Sequence, residues 1–177
     1  MSYQFTLQRL ESGDTRPSFD CGDSDLNEFF AVDSKIAGNE LMSVTYIAEI
    51  DRKAAAYFSL SNDAIKRELV PKSVLRRIFK KIPQPKRYKS MPAVKIGRLA
   101  TCVEMQCKNI GTDILDYLKV WFTDGNKTGC RFIVVDAYNT SRAIKFYTDN
   151  GFDFLMLEDE SDETRLMYFD LIKFREA

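Results

Sequence analysis

Two stretches of the chain carry residue types whose spacing could do chemistry. The first is Lys95–Thr112, KIGRLATCVEMQCKNIGT. Ile96, Leu99 and Ala100 form an apolar run that reads as a buried strand, and Gln106–Thr112 reads as a loop. Behind the loop, Ile114, Leu115, Leu118, Trp121 and Phe122 recur at i, i+1, i+4, i+7 and i+8, the stripe of an amphipathic helix. A strand that feeds a loop into a helix N-terminus aims free backbone N–H groups at one spot, and the helix dipole draws anions there. The loop can cradle a phosphate, or it can be an ordinary strand-to-helix connection with one glycine. Loop composition alone favours the ordinary connection. The second stretch is Lys66–Lys89, KRELVPKSVLRRIFKKIPQPKRYK, with ten Lys or Arg against the single acid Glu68. The whole chain is neutral, so a local charge of +9 leaves −9 on the remainder. That asymmetry suits a polyanionic partner for one face. Solvation of a surface helix is the usual fate of such a run, but here few opposite charges are available for i,i+4 pairing.

Other chemistries are excluded. The chain has no histidine, which removes histidine-based triads. Cys21, Cys102, Cys107 and Cys130 form no CxxC pair, so no metal site is expected. The thiols read as small, reduced and mostly buried. Any of Cys21, Cys102 or Cys107 acting as a nucleophile would lack a histidine base. The acidic run Glu158–Glu163 reads as a solvated turn and nothing more.

Those stretches need elements to position them. A length of 177 residues fits one domain, 1–177, with a basic helical segment at 63–90. Apolar content of 45% and charged content of 29% are ordinary for a soluble globular protein. No signal peptide is read in MSYQFTLQRL and no apolar run approaches ~18 residues, so the expected location is cytoplasmic, without a membrane partner. Tyr3–Leu10 alternates as a strand. Asp23, Ser24 and Asp25 suit a helix cap, with Glu28 in capping-box spacing from Asp25 and Leu26, Phe29, Phe30, Ile36 and Ala37 on the apolar face, ending near Gly38. Val44–Ile50 and Ala54–Leu60 make a hairpin around Asp51-Arg52-Lys53. Val74, Leu75, Ile78, Phe79 and Ile82 suit a helix stopped by Pro83 and Pro85. Met91–Cys102 is the central strand. Phe132–Ala137 is a strand buried on both faces, followed by a short helix capped by Asn139, Thr140 or Ser141 and closed by Asn150-Gly151. Phe152–Leu157 and Leu166–Ile172 are strands. This order predicts an α+β (mixed α/β) fold, a twisted mixed sheet of about six to seven strands with helices on both faces.

The order of elements and the residues on them resemble the GNAT superfamily of acyl-CoA-dependent N-acetyltransferases. RLATCVEMQCKNIGT is similar to the family's central strand and its Q/R-x-x-G-x-G/A pyrophosphate loop. RFIVVDA followed by AIKFYTDNGF is similar to its later strand, helix and Phe-Tyr…Gly-Phe ending. FDCGDSDLNEFF with YFSLSN resembles the N-terminal half of the GNAT toxins that acetylate aminoacyl-tRNA. Asn109 departs from the pattern, standing where the family has its first glycine; asparagine is among the few other residues that tolerate the left-handed region.

The resemblance implies acetyl-CoA as the acyl donor and a primary amine as acceptor, with aminoacyl-tRNA as the toxin-like case. A small-molecule or protein amine, or a non-catalytic nucleic-acid-binding module of GNAT shape, is the alternative. It places acetyl-CoA at Leu99, Ala100, Thr101, Gln106, Cys107, Lys108, Asn109, Ile110, Gly111, Thr112 and Asn139. Tyr147 is the implied proton donor to the departing thiolate; a phenol with pKa ~10 is protonated at neutral pH. Glu104 and Asp136 lie near the strand ends as bases or as plain carboxylates. The basic segment precedes the central strand on the side where the family's acceptors enter, so Arg76, Arg77, Lys80 and Lys81 are placed on acceptor phosphates. An antitoxin protein and a homodimer are the further partners implied.

Overall fold

A computed structural model of the chain describes residues 4–82, 88–126, 128–156 and 158–175. Its elements are β1 (Thr6–Leu10), α1 (Ser24–Glu28), a π-helical turn (Phe29–Asp33), α2 (Ser34–Asn39), β2 (Val44–Ile50), β3 (Lys53–Lys66), α3 (Lys72–Phe79), β4 (Ser90–Thr101), α4 (Ile110–Thr123), β5 (Phe132–Tyr138), α5 (Ser141–Asp149), β6 (Asp153–Phe154), β7 (Thr164–Asp170) and α6 (Leu171–Arg175). Short 3-10 turns occupy Arg67–Leu69 and Val103–Met105. The strands form one sheet in the order β1-β2-β3-β4-β5-β7-β6, the mixed α/β class expected. No helix among the described residues is long and apolar enough to cross a membrane. Residues gather into two compact units, Met1–Ser61 with Ile96–Leu118 and Asn62–Lys95 with Lys119–Ala177.

In the first unit β2 pairs antiparallel with both β1 and β3. The hairpin tip is Asp51-Arg52, both left-handed at φ 51 and 63, as a two-residue turn requires. Lys53, expected in the turn, already pairs with Ile50. The core packs Phe19, Phe29 and Phe30 around Tyr57, with ring centroids 5.2, 6.2 and 4.8 Å away. Tyr57 Oη donates to Leu26 O at 2.6 Å, and burial pushes its phenol well above the ordinary range. The cap of α1 is Asp23, whose carboxylate accepts from Leu26 N at 3.1 Å; Asp25 lies inside the helix. Ile36 is 57% exposed and so leaves the expected apolar face. The π turn, in which Ser34 N bonds Phe29 O, inserts one extra residue and rotates the residues after it by ~100° about the helix axis.

β3 continues past the expected end at Leu60 to Lys66. Its β2 partner ends at Val44↔Leu60, and Asn62, Asp63 and Ala64 are exposed, so polar residues there are not desolvated.

In the second unit β7 pairs antiparallel with β5, from Phe132↔Asp170 to Tyr138↔Thr164, and with the two-residue β6. The strand expected at Phe152–Leu157 shrinks to Asp153–Phe154, and Leu157 lies outside the described residues. The basic segment supplies α3, whose buried Val74 and Ile78 join Met91, Phe132, Val134 and Tyr168 in one cluster. Each such aliphatic side chain contributes about 1.5–3 kcal/mol by burial. Pro83 and Pro85, with Lys86 and Arg87, lie outside the described residues. Asp170 ends β7 with its side chain fully buried; Arg131 is ion-paired with it, its Nη2 donating at 3.2 Å, and Arg77 pairs with the same carboxylate. Thr140 caps α5 by accepting from Ala143 N at 3.2 Å. After α5, Gly151 takes φ +83, and a Cβ there would sit 3.2 Å from the Phe169 ring. Conformation and space both require glycine.

Candidate active site

After β4, Cys107 and Asn109 are both left-handed, at φ 60 and 64. Asparagine thus adopts the conformation for which the family pattern has glycine. α4 begins at Ile110, so Gly111 and Thr112 belong to its first turn rather than to a loop. Its first bond runs from Asp113 N to Asn109 O at 2.9 Å, which leaves the N–H groups of Ile110 and Gly111 ahead of the helical ladder. Ile110, Ile114, Leu115 and Leu118, at 1% exposure or less, fix the helix. Lys108 is exposed, with Nζ 3.7 Å from Met105 Sδ. On β4, Ala100 is buried and Leu99 and Thr101 are half-buried.

Left-handed backbone costs about 1–2 kcal/mol per non-glycine residue, so something must hold the turn. Gln106 does. Its Nε2 donates to Cys21 O at 2.8 Å and to Thr101 O at 3.1 Å. Val103 N donates to Asp20 O at 2.9 Å. The Asp20 carboxylate accepts from Gly22 N and Asn27 Nδ2, both at 2.8 Å, and these bonds hold its pKa below the usual value. Cys21 N donates to Asn27 Oδ1 at 2.9 Å. Residues 20–27 are therefore a brace for the turn at 103–109. Sequence spacing could not find this brace, because its members lie 85 residues apart.

In the second unit Tyr147 is buried on α5, its ring 5.0 Å from Phe146 and 5.3 Å from Phe152. Burial raises its pKa well above the ordinary phenol range, so the hydroxyl keeps its proton at neutral pH. Asn139 Nδ2 donates to Glu160 O and Asp162 O, both at 2.9 Å, and its N–H to Glu163 O at 2.9 Å. Asp159 is buried, accepting from Arg165 Nε at 2.7 Å and Leu166 N at 2.6 Å. The acidic run is thus a pinned loop with an inward carboxylate, which corrects its reading as a solvated turn, and Asn139's amide is engaged in pinning it. Asp136 is ion-paired with Lys95 at 2.5 Å. Glu104, in the first unit, is exposed on the 3-10 turn.

A shallow concavity of about 680 Å³ surrounds α3, lined among others by Arg67, Lys72, Arg76, Arg77, Phe79 and Lys80. The Arg67 guanidinium lies 4.6 Å over the Phe79 ring. Of the four cations singled out in the sequence, Arg76 and Lys80 line this surface. Arg77 reaches it too, and there it shares the buried Asp170 carboxylate with Arg131, which anchors α3. Lys81 is absent from the lining. Sequence reasoning passes over Lys72, although it stands i−4 from Arg76 and i−8 from Lys80, one stripe of a helix.

No family model and no curated protein matches the chain. Solved structures do. A point mutant of KacT is 21% identical with a TM-score of 0.78, covering 98% of this chain and 99% of that one. AtaT complexed with acetyl-methionyl-tRNAfMet is 23% identical with a TM-score of 0.78, covering 98% of each. AtaTR bound with acetyl-CoA is 23% identical with a TM-score of 0.73, covering 97% of this chain and 96% of that one. The chain has the fold of AtaT and KacT, a mixed sheet with helices as in the fold expected from its sequence.

Proposed function

We propose that the chain is an acetyl-CoA-dependent N-acetyltransferase whose acceptor is the amino group of an aminoacyl-tRNA. The observation that carries this reading is the left-handed pair Cys107 and Asn109, which brings the backbone into α4 with the N–H groups of Ile110 and Gly111 ahead of the ladder. Such a turn fits a pyrophosphate. AtaT, of the same fold, has been captured with acetyl-CoA and with acetyl-methionyl-tRNAfMet.

When bound, acetyl-CoA supplies an acetyl group activated as a thioester. Asn109, Ile110, Gly111 and Thr112 hold its phosphates through backbone N–H groups, and Lys108 adds a charge beside them. Gln106 keeps the turn in shape through its bonds to Cys21 O and Thr101 O. Backbone N–H groups near Leu99–Thr101 polarise the reacting carbonyl. Tyr147 holds a proton at Oη for the departing sulfur, and its desolvated site keeps that proton in place across the neutral range. The acceptor amine must arrive neutral, and Asp136, its charge matched by Lys95, does not hold it protonated. Arg67, Lys72, Arg76 and Lys80 bind phosphates of the acceptor RNA. An antitoxin partner, as AtaT has in AtaR, and a cytoplasmic setting belong to the same reading.

The test is incubation with labelled acetyl-CoA and a panel of charged tRNA, uncharged tRNA, peptides, polyamines and amino acids. Label on charged tRNA alone supports the proposal. Label on a small amine alone retains the acetyltransferase and removes the RNA. No calorimetric binding of any acyl-CoA sinks both.

A further inference from the structure

The C-terminus of α2 closes in a Schellman motif: Met42 N donates to Ala37 O at 2.8 Å and Leu41 N to Gly38 O at 3.2 Å. The residue after the cap must then be left-handed, a position at which glycine is favoured because a Cβ is strained there. This chain places leucine, at φ 56, and leaves its side chain 92% exposed. Leu41 therefore gains nothing from the fold in return for its strain. Beside it in sequence stands Met42, 70% exposed, and earlier on the same helical run stand Val32 and Ile36, 50% and 57% exposed. Val32 and Ile36 are four apart and share a face. Val32 lies within the π turn and Ile36 after it, both exposed, while Phe30 and Ser34 are buried. Glu28, Asp33 and Glu40 are all exposed within this run, against the one half-buried cation Lys35.

We propose that Val32, Ile36, Leu41 and Met42 form a docking surface for a cationic amphipathic helix of a partner protein. Charge selects that occupant. A second copy meeting this face about a two-fold axis would set Glu28, Asp33 and Glu40 against themselves. An anionic membrane surface is repelled by the same acids. A helix with aliphatic residues three and four apart buries them on the four apolar side chains and sets its lysines or arginines against the acidic rim. The inference does not depend on the acetyltransferase reading, because none of these residues belongs to the proposed cofactor or acceptor sites.

The experiment titrates the full chain, at 50 mM and 300 mM salt, with a fluorescent fifteen-residue peptide carrying Leu at helical three–four spacing and Lys between. A matched peptide carries Glu for every Lys. The Lys peptide is expected to bind, to shift amide resonances of residues 28–42 and to weaken at high salt. Leu41→Gly should weaken it at least tenfold while raising Tm by about 2–4 °C, because strain is relieved. Asp33→Lys with Glu40→Lys should weaken it comparably in a chain of unchanged fold. Equal binding of the Glu peptide overturns the proposal. So do amide shifts elsewhere, a sedimenting dimer abolished by Leu41→Gly, or anionic vesicles that the Leu41→Gly protein no longer binds.

Discussion

Replacing Gln106 with Glu keeps the shape of the side chain and turns a donor into an acceptor. The wild-type amide serves two carbonyls, Cys21 O at 2.8 Å and Thr101 O at 3.1 Å. Removing the donor with Gln106→Ala loses two neutral bonds of about 0.5–1.5 kcal/mol each, and a part-buried carbonyl left alone costs in the same range. A loss of about 1–3 kcal/mol falls on the turn that holds Cys107 and Asn109 left-handed. Since 1.4 kcal/mol is a factor of ten, acetyl-CoA affinity should weaken by about 5- to 140-fold. Gln106→Glu should be worse than Ala at pH 7.5, because a carboxylate then faces two carbonyl oxygens. Repulsion raises the pKa of that new carboxyl, so its neutral, donating form returns as pH falls, and the Glu defect should shrink toward pH 5 while the Ala defect stays constant. Calorimetry of acetyl-CoA from pH 5 to 8 reads the affinity. Hydrogen exchange at amides 103–112 reads the turn without ligand. Wild-type affinity and wild-type exchange in both variants at pH 7.5 would refute the brace. Faster exchange with no acyl-CoA binding even by wild type would leave the brace and remove the cofactor.

Asp170→Ala leaves Arg77 and Arg131 around an empty buried site, and breaking a buried pair costs about 3–5 kcal/mol, so thermal unfolding should drop by about 6–20 °C. Tyr147→Phe should lower the acetylation rate by ~100-fold or more and leave acetyl-CoA affinity unchanged; full activity would make the ring structural only. Reversing Lys72, Arg76 and Lys80 to Glu should abolish tRNA acetylation, spare acetyl-CoA binding, and flatten the salt dependence of tRNA binding by about 0.7–0.9 per lost phosphate contact. Asp20 has its pKa lowered by Gly22 and Asn27, so its brace is fully present above the ordinary aspartate value of 3.8 and is lost as pH falls through the folded one. Amide exchange at 103–112 should therefore accelerate in acid, and Asp20→Asn should remove that acid step.

The sheet, the hairpin, α4, β5 and α5 are legible in the sequence because hydrophobic periodicity and capping residues are local signals. The failures are equally physical. The strand read as ending at Leu60 continues to Lys66, past the end of β2, where Asn62 and Asp63 stay exposed to water. Nothing in FFAVD announces a π turn, so periodicity alone places Ile36 inward. Asn109 is readable as left-handed from its residue type, whereas Cys107 is not. The turn after β4 is recognisable from its motif, but the bonds of Gln106 to residues 21 and 101 are not, because those partners are brought to it only by folding. Asp159 and Arg165 are likewise unreadable, since a buried ion pair and a solvated one have the same sequence.

The bond between Arg77 and Asp170 spans 93 residues. Eight residues of helix are too few to persist alone in water, where ~12–15 are marginal. During synthesis the cationic segment therefore emerges as an unstructured polycation, and its stripe at Lys72, Arg76 and Lys80 is not yet one surface. It becomes one only when β7 adds to β5 and brings the carboxylate that seats the helix. The phosphate-binding surface proposed for this chain is therefore late-assembled, which separates the making of its charge from the making of its site.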